Sequence, residues 1–280
     1  MELACHLWAY NDRPIEEALG TIARLGFRNI DLGSGAHLDL EEAAAHPGTE
    51  ARRWRELLHF YNLNVTDLYV NLPYINDPDP ARRAEQLDLF ERLLPFALAV
   101  GTPGITISPG ILHDDGGDHS LARSVPSLLH IVQAAEDFDL RISFEPHMDS
   151  AATTPDNALL LVEAVPGLSL TLDYAHFIVQ GIPLKDIKPL LQHAAHIHIR
   201  QAVKGRLQTG FAQGRLDLKV LMTDLRDADY HGVVTVEYMT NVGWHGMMPV
   251  NIGVETVKTR DTLREIRASL PSHGHHPVGG

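Results

Sequence analysis

The chain has 280 residues, above the usual size of one domain but close to the ~250 residues over which a (β/α)8 barrel runs as a single unit. With 44% hydrophobic and 21% charged residues it has the composition of an ordinary folding chain, which excludes a disordered one. The 36 acidic against 23 basic residues give a net charge of −13, and no run of Lys or Arg forms a stripe for phosphates, so nucleic acid is not an expected partner.

The first residues, MELACHLWAYNDRP, lack the basic and apolar regions of a secretory signal. No stretch approaches the ~20 apolar residues of a membrane span, so no membrane partner and a cytoplasmic location are expected. The sole cysteine, Cys5, excludes an internal disulfide framework and reads as a small apolar residue of the first strand.

From there, short β-rich runs alternate with stretches of helical periodicity. Strands are predicted at 3–9, 28–33, 65–71, 104–108, 140–145, 168–173, 195–200 and 233–238. Helices are predicted at about 14–25, 50–61, 80–99, 120–138, 155–164, 183–193, 217–229 and 252–268. Gly26 and Gly101 suit helix ends that need a positive φ, Pro155 after Thr154 reads as the first position of a capped helix, and Pro14 suits the same role. The longest irregular segment, 109–119, follows the fourth strand; it reads either as a mobile loop near a substrate or as a solvated surface loop. The end of the chain, 271–280, carries His273, His275 and His276 among Gly and Pro and reads as a flexible tail. Eight buried strands, each followed by a helix, predict an α/β fold, a single (β/α)8 TIM barrel over 1–270. The competing open sheet would carry a glycine-rich dinucleotide loop after its first strand, where HLWAYNDRP stands instead.

The last four strands each end in a residue able to bind a metal: Glu145 in SFEPH, Asp173 in TLDYAH, His198 in HIHIR and Glu237 in TVEYM. A barrel points all four at one mouth, where crowded carboxylates repel unless a cation or shared protons neutralise them. Three carboxylates and one imidazole suit one divalent metal ion, Mn2+ foremost, with Mg2+, Co2+ or Zn2+ as alternatives. Such an ion chelates a hydroxy-carbonyl compound and acidifies the neighbouring C–H. Glu145 and Glu237 are then the expected catalytic pair, one removing a proton and the other returning it. In HIHIR, alternation puts His196 on the same face as His198, one layer lower. His176 is read as a group for substrate or metal, or as a hydrogen-bonded capping residue. Arg200 and Lys204 are expected to hold an anionic substrate group or to lie in a solvated loop, and Trp244 to form an aromatic plate or a packing contact.

At these residues the sequence resembles the sugar phosphate isomerase/epimerase family, xylose isomerase-like barrels that include endonuclease IV and the ketose 3-epimerases. The resemblance covers essentially the whole chain and rests on FEPH at 144–147, LDYAH at 172–176, HIHIR at 196–200 and YHGVVTVEY at 230–238. It implies a metal held by Glu145, Asp173, His198 and Glu237, an acid–base role for Glu145 and Glu237, and contact of His176 with substrate or metal. Two departures count against the endonuclease branch: SPG at 108–110 replaces that branch's His-Pro-Gly, and TGFAQG at 209–214 lacks its Asp-x-His pair. Gln201 stands where many ketose 3-epimerases carry an acid. The expected function is a metal-dependent isomerase or epimerase acting on a small-molecule carbohydrate or related polyhydroxy carbonyl compound. The alternatives are a lyase or hydrolase using the same enolising site and, further off, a non-catalytic binding protein or an abasic-site endonuclease. Whether the chain forms a homo-oligomer is left open.

Overall fold

A computed structural model describes residues 1–270; the predicted tail at 271–280 lies outside them. Eight parallel strands close into a barrel: β1 (Glu2–His6), β2 (Asn29–Gly33), β3 (Asn64–Val70), β4 (Gly104–Ile107), β5 (Arg141–Phe144), β6 (Leu168–Asp173), β7 (Ala194–Ile199) and β8 (Val233–Val236). Closure is made by β1 on β8, with Cys5 opposite Val236. The helices are α1 (Ile15–Arg24), α2 (Leu40–Ala45), α3 (Pro47–Tyr61), α4 (Pro80–Val100), α5 (Gly117–Glu136), α6 (Pro155–Ala164), α7 (Tyr174–Ile178), α8 (Leu184–Ile187), α9 (Leu218–Asp227) and α10 (Ile252–Ser269). No helix among the described residues is long and apolar enough to cross a membrane.

All eight predicted strands are present, and the observed ones end up to three residues earlier. At β1 the chain leaves the sheet for a 3-10 turn at Leu7–Tyr10, because the His6 ring accepts the Trp8 N–H as a cap. Capping chemistry explains several helix starts. Thr154 accepts the Asn157 N–H, with Pro155 in the first turn, and Asp217 and Asp39 cap α9 and α2 in the same way. Gly26 and Gly101 take φ of 82° and 85° at their helix ends. Pro14 is the cap of α1, one position ahead of the place predicted for it. Two short helices, α2 and α7, have no counterpart in the predicted set, and the helix predicted at 183–193 is α8 followed by a 3-10 stretch over Lys188–His193. The segment 109–119 leads into α5 at Gly117 and lies against the loop after β5, where Leu112 N–H donates to Asp149 O.

The helical jacket and the outward strand faces hold the apolar core, with Trp54, Phe90 and Phe96 fully buried. Burying each such side chain contributes about 1.5–3 kcal/mol. The inward faces are polar instead. Thr106 of β4 bonds Thr171 of β6 at 2.7 Å, and Asp67 of β3 reaches Arg141 of β5 at 3.0 Å. Contacts between strands that are not neighbours place these side chains inside the barrel. The usual filling of Val, Ile and Leu is thus replaced by a hydrogen-bonded layer. Ser143 belongs to it, 2.8 Å from Thr171. A second polar layer lies above, toward the C-terminal ends of the strands.

Candidate metal centre

The alternation of HIHIR carries His196, His198 and Arg200 inward on β7 and its end, while Ile197 and Ile199 go to the core. One layer above Ser143, Glu145 arrives from β5; one above Thr171, Asp173 ends β6; one above Thr235, Glu237 follows β8. All four predicted ligands are buried. His198 Nδ1 lies 3.1 Å from Glu145 Oε1 and 3.4 Å from Glu237 Oε2. These three residues form one set of donor atoms all within 4.8 Å of one another. Asp173 joins through Glu145 and His176, which form a second such set with it. Asp173 also caps α7, accepting the Ala175 N–H at 2.8 Å, which fixes the direction of its other oxygen.

Arg200 is buried, not solvated. It donates to Asp173 Oδ2 and comes within 3.5 Å of Glu237 Oε2 and 3.3 Å of His176 Nε2. Its guanidinium stands beside two of these carboxylates, and with Glu145 on His198 the three acids leave the centre negative even when His198 carries a proton. A divalent cation is the counter-charge that fits. The donor set agrees: three carboxylates and an imidazole, with Glu237 Oε2 buried and without a hydrogen-bond partner. The residues present therefore fit one divalent ion.

Above the centre opens a pocket of ≈ 350 Å³ at the C-terminal mouth. Glu145, Glu237, His176, Arg200 and Trp244 line it, together with Trp8, Tyr69, Asn11, Asn71, Asn241, Ser34, His147 and Met239. The fourth predicted substrate group, Lys204, is exposed, lays its stem along Gly181, and does not line the pocket; the β7 chain turns away after Arg200. Gln201 is buried and ties Leu216 in both directions, through Leu216 O and Leu216 N–H, a structural place rather than a ligand's. Trp8 reaches the mouth because residue 33 is glycine: a Cβ there would lie 2.5 Å from Trp8 Nε1 and 2.8 Å from His6 Cε1.

A family model described as a xylose isomerase-like TIM barrel matches residues 19–265. The chain belongs to that family. Solved structures share the fold at low identity. D-allulose 3-epimerase from Methylomonas sp. is 18% identical, covering 95% of this chain and 98% of its own, with a TM-score of 0.77. The IolI protein with a bound zinc atom is 18% identical over 95% and 99%, with a TM-score of 0.76. The probable 3-DHS dehydratase AsbF from Bacillus anthracis is 15% identical over 94% and 99%, with a TM-score of 0.71. No curated protein sequence gives a significant match.

Within this family framework the charges of the centre follow from burial and mutual contact. Burial alone would raise Glu237, but Arg200 and His198 outweigh it and hold the carboxyl well below its ordinary value. Asp173 is pushed up to about 6 by burial, against the pull of Arg200 and with help from the negative charge of Glu237 and Glu145. His176 is pushed down by burial and by Arg200. His198 is raised, because Glu237, Asp31 and Glu145 together overcome its burial. Tyr69 is held protonated by burial and by the two glutamates.

Several residues of the site escaped the sequence reading. Asp31 in NIDLG and His6 in LACHLWA carry a usable signal, a polar group at an inward-facing position of an otherwise apolar strand. Tyr69 and Trp8 carry none, since aromatic residues in strands are ordinary core. His147 stands in FEPH, yet its contact with Ser108 Oγ at 2.8 Å depends on a neighbouring strand end.

Proposed function

We propose that this chain is a divalent-metal-dependent isomerase or epimerase of a sugar or related polyhydroxy carbonyl compound. The observation that carries the reading is the convergence of Glu145 and Glu237, from strands separated around the barrel, on one nitrogen of His198, with both carboxylates lining one pocket. Glu145, Asp173, His198 and Glu237 would hold the ion, with Mn2+ the first candidate. An ion held there would polarise a substrate carbonyl and stabilise negative charge on its oxygen.

The protein's own groups supply the proton transfer. Glu237 rests ionised beside Arg200 and His198, which suits it to take the proton from the carbon next to the carbonyl. Return of a proton to the other face by Glu145, protonated for that step, inverts that carbon, an epimerisation. Delivery to the adjacent carbon instead exchanges aldose for ketose. Trp8, Tyr69 and Trp244 offer apolar faces to the C–H side of a sugar, while Asn11, Asn71, Asn241 and Ser34 offer hydrogen bonds to its hydroxyls. His176, beside Arg200, is placed to meet a hydroxyl. Arg200 serves the carboxylates more than an anionic substrate.

The likeness to a D-allulose 3-epimerase and to a zinc-bound protein supports this reading of substrate and metal. A second reading, a lyase that expels a group β to the carbonyl after the same first step, is favoured by the likeness to a probable dehydratase. Incubating a panel of ketoses, keto acids and 3-keto-glycosides with the Mn2+-loaded protein in D2O separates them. Deuterium gained at the carbon next to the carbonyl, with all carbons and oxygens retained, is the expected result. Release of water or an aglycone favours the lyase, and no exchange with any member sinks the enolising site.

A further inference from the structure

Asp31 is a buried carboxylate that the proton transfer does not use. Its Oδ2 faces two imidazoles, 2.6 Å from His196 Nε2 and 3.3 Å from His198 Nε2. Its Oδ1 accepts from Thr66 Oγ1 at 2.6 Å. Two irregularities of the sheet bring these groups together. The β2–β3 register shifts between Ile30 and Asp31, leaving Thr66 as the extra residue, and the β6–β7 register shifts between Leu170 and Thr171. Such bulges re-aim side chains and recur beside functional sites.

His198 has two nitrogens with different neighbours. Nδ1 faces Glu145 and Glu237, at 3.1 and 3.4 Å; Nε2 lies 3.3 Å from Asp31 Oδ2, a charge contact short of hydrogen-bond geometry, and has no hydrogen-bond partner among the described residues. The rings of His6 and His196 stand nearly perpendicular to it at 5.3 and 5.2 Å, which fixes its plane. A neutral imidazole carries one N–H. The negative charge of Asp31 beside Nε2 favours the proton on that nitrogen, which leaves the lone pair on Nδ1, the atom that faces the other ligands. The 2.6 Å contact of Asp31 with His196 is a hydrogen bond, so the carboxylate is anchored from a second side.

We propose that Asp31 is the positioning residue of the metal centre, holding His198 in the Nε2–H form with Nδ1 aimed at the ion. The proposal rests on the metal-dependent reading above. It is tested by titrating the metal-free protein with Mn2+ in a calorimeter, comparing wild type with Asp31→Asn and with Asp67→Asn, a buried acid of the lower layer. Asp31→Asn is expected to weaken Mn2+ binding about 10- to 100-fold, and Asp67→Asn to leave it unchanged while lowering the melting temperature. Wild-type affinity in Asp31→Asn overturns the positioning role alone. A wild-type protein that takes up no Mn2+ overturns the metal reading itself and the positioning role with it. A measurement free of substitutions guards against misfolding. Wild-type protein loaded with Co2+ is expected to show, in H2O but not in D2O, a strongly shifted imidazole N–H resonance from the His198 ring; loss of that resonance overturns the proposal.

Discussion

The barrel interior has two polar layers built from similar groups, and they differ in how their valences are used. In the lower layer Asp67 is met by Arg141 at 3.0 Å and by Thr106 at 2.5 Å, and Thr106, Thr171 and Ser143 bond one another. Among the described residues of that layer, Arg141 Nε alone lacks a partner. Among the described residues, Glu237 Oε2 and His6 Nε2 of the upper layer are buried and without hydrogen bonds, and His198 Nε2 has only the 3.3 Å contact of Asp31. A satisfied buried network makes a fold specific. An unsatisfied one costs stability and persists where something else completes it. The lower layer therefore reads as structure and the upper one as a site.

The sharpest way to break this contrast is to alter one acid from each layer. Glu237→Gln keeps an oxygen donor but removes the base, so kcat should fall about 10²–10⁴-fold, with Mn2+ binding weakened less than in His198→Ala. Steady-state kinetics at saturating metal and calorimetric titration check both. Glu145→Gln should behave alike. Full activity in Glu237→Gln would remove the proposed base.

Asp67→Ala should do the reverse. It strands Arg141 in the barrel and takes one of three partners from Thr106, at about 2–4 kcal/mol in urea unfolding, the lower part reflecting the partial exposure of Arg141. The kcat of the folded fraction should stay within about twofold of wild type. A catalytic defect as large as that of Glu237→Gln would merge the two layers into one functional unit.

His6 offers a test by pH. Burial pushes its imidazole down to about 4, so it stays neutral in the fold while the unfolded chain binds a proton near the ordinary histidine value. The unfolded state then holds more protons between about pH 6.5 and 4, and stability is lost as pH falls through that window. His6→Gln should reduce that loss by about 2–3 kcal/mol in metal-free protein. Asp173, raised to about 6, works in the opposite sense, binding its proton more readily in the fold. The comparison is therefore made between wild type and His6→Gln at each pH rather than along one curve.

These two layers also mark how far the sequence could be read. Strand count, helix alternation and the four buried polar residues at the ends of β5 to β8 were legible, because period-2 burial and a polar break at a strand end are local signals. Asp31 and Asp67 were not separated from one another. Each is an acid inside an apolar strand, and only the barrel's closure shows that one faces His198 and the other Arg141. Arg200 had an ordinary sequence context, and its burial between Asp173 and Glu237 arises from three strands at once. Lys204 drew the same expectation from the same cluster and lies outside the pocket, since the chain turns away from the mouth after Arg200.

The smallest expected effect tests the rim of the upper layer. Trp244 lines the pocket yet remains 40% exposed, with its ring 6.2 Å from that of His176. Its loop is held over the mouth by backbone that glycine permits, at Gly243 and Gly246, and by His245, which bonds Asp149 at 2.6 Å across to the loop after β5. An aromatic plate on such a strap contributes about 0.5–1.5 kcal/mol of stacking, equally to bound substrate and transition state. Trp244→Ala should then raise KM about 2- to 10-fold with kcat nearly unchanged, the pattern of lost uniform binding. An unchanged KM accompanied by a shift in sedimentation would reassign Trp244 to contact between copies of the chain. The aromatic part of the mouth would then be Trp8, on the turn after β1, and Tyr69, on β3.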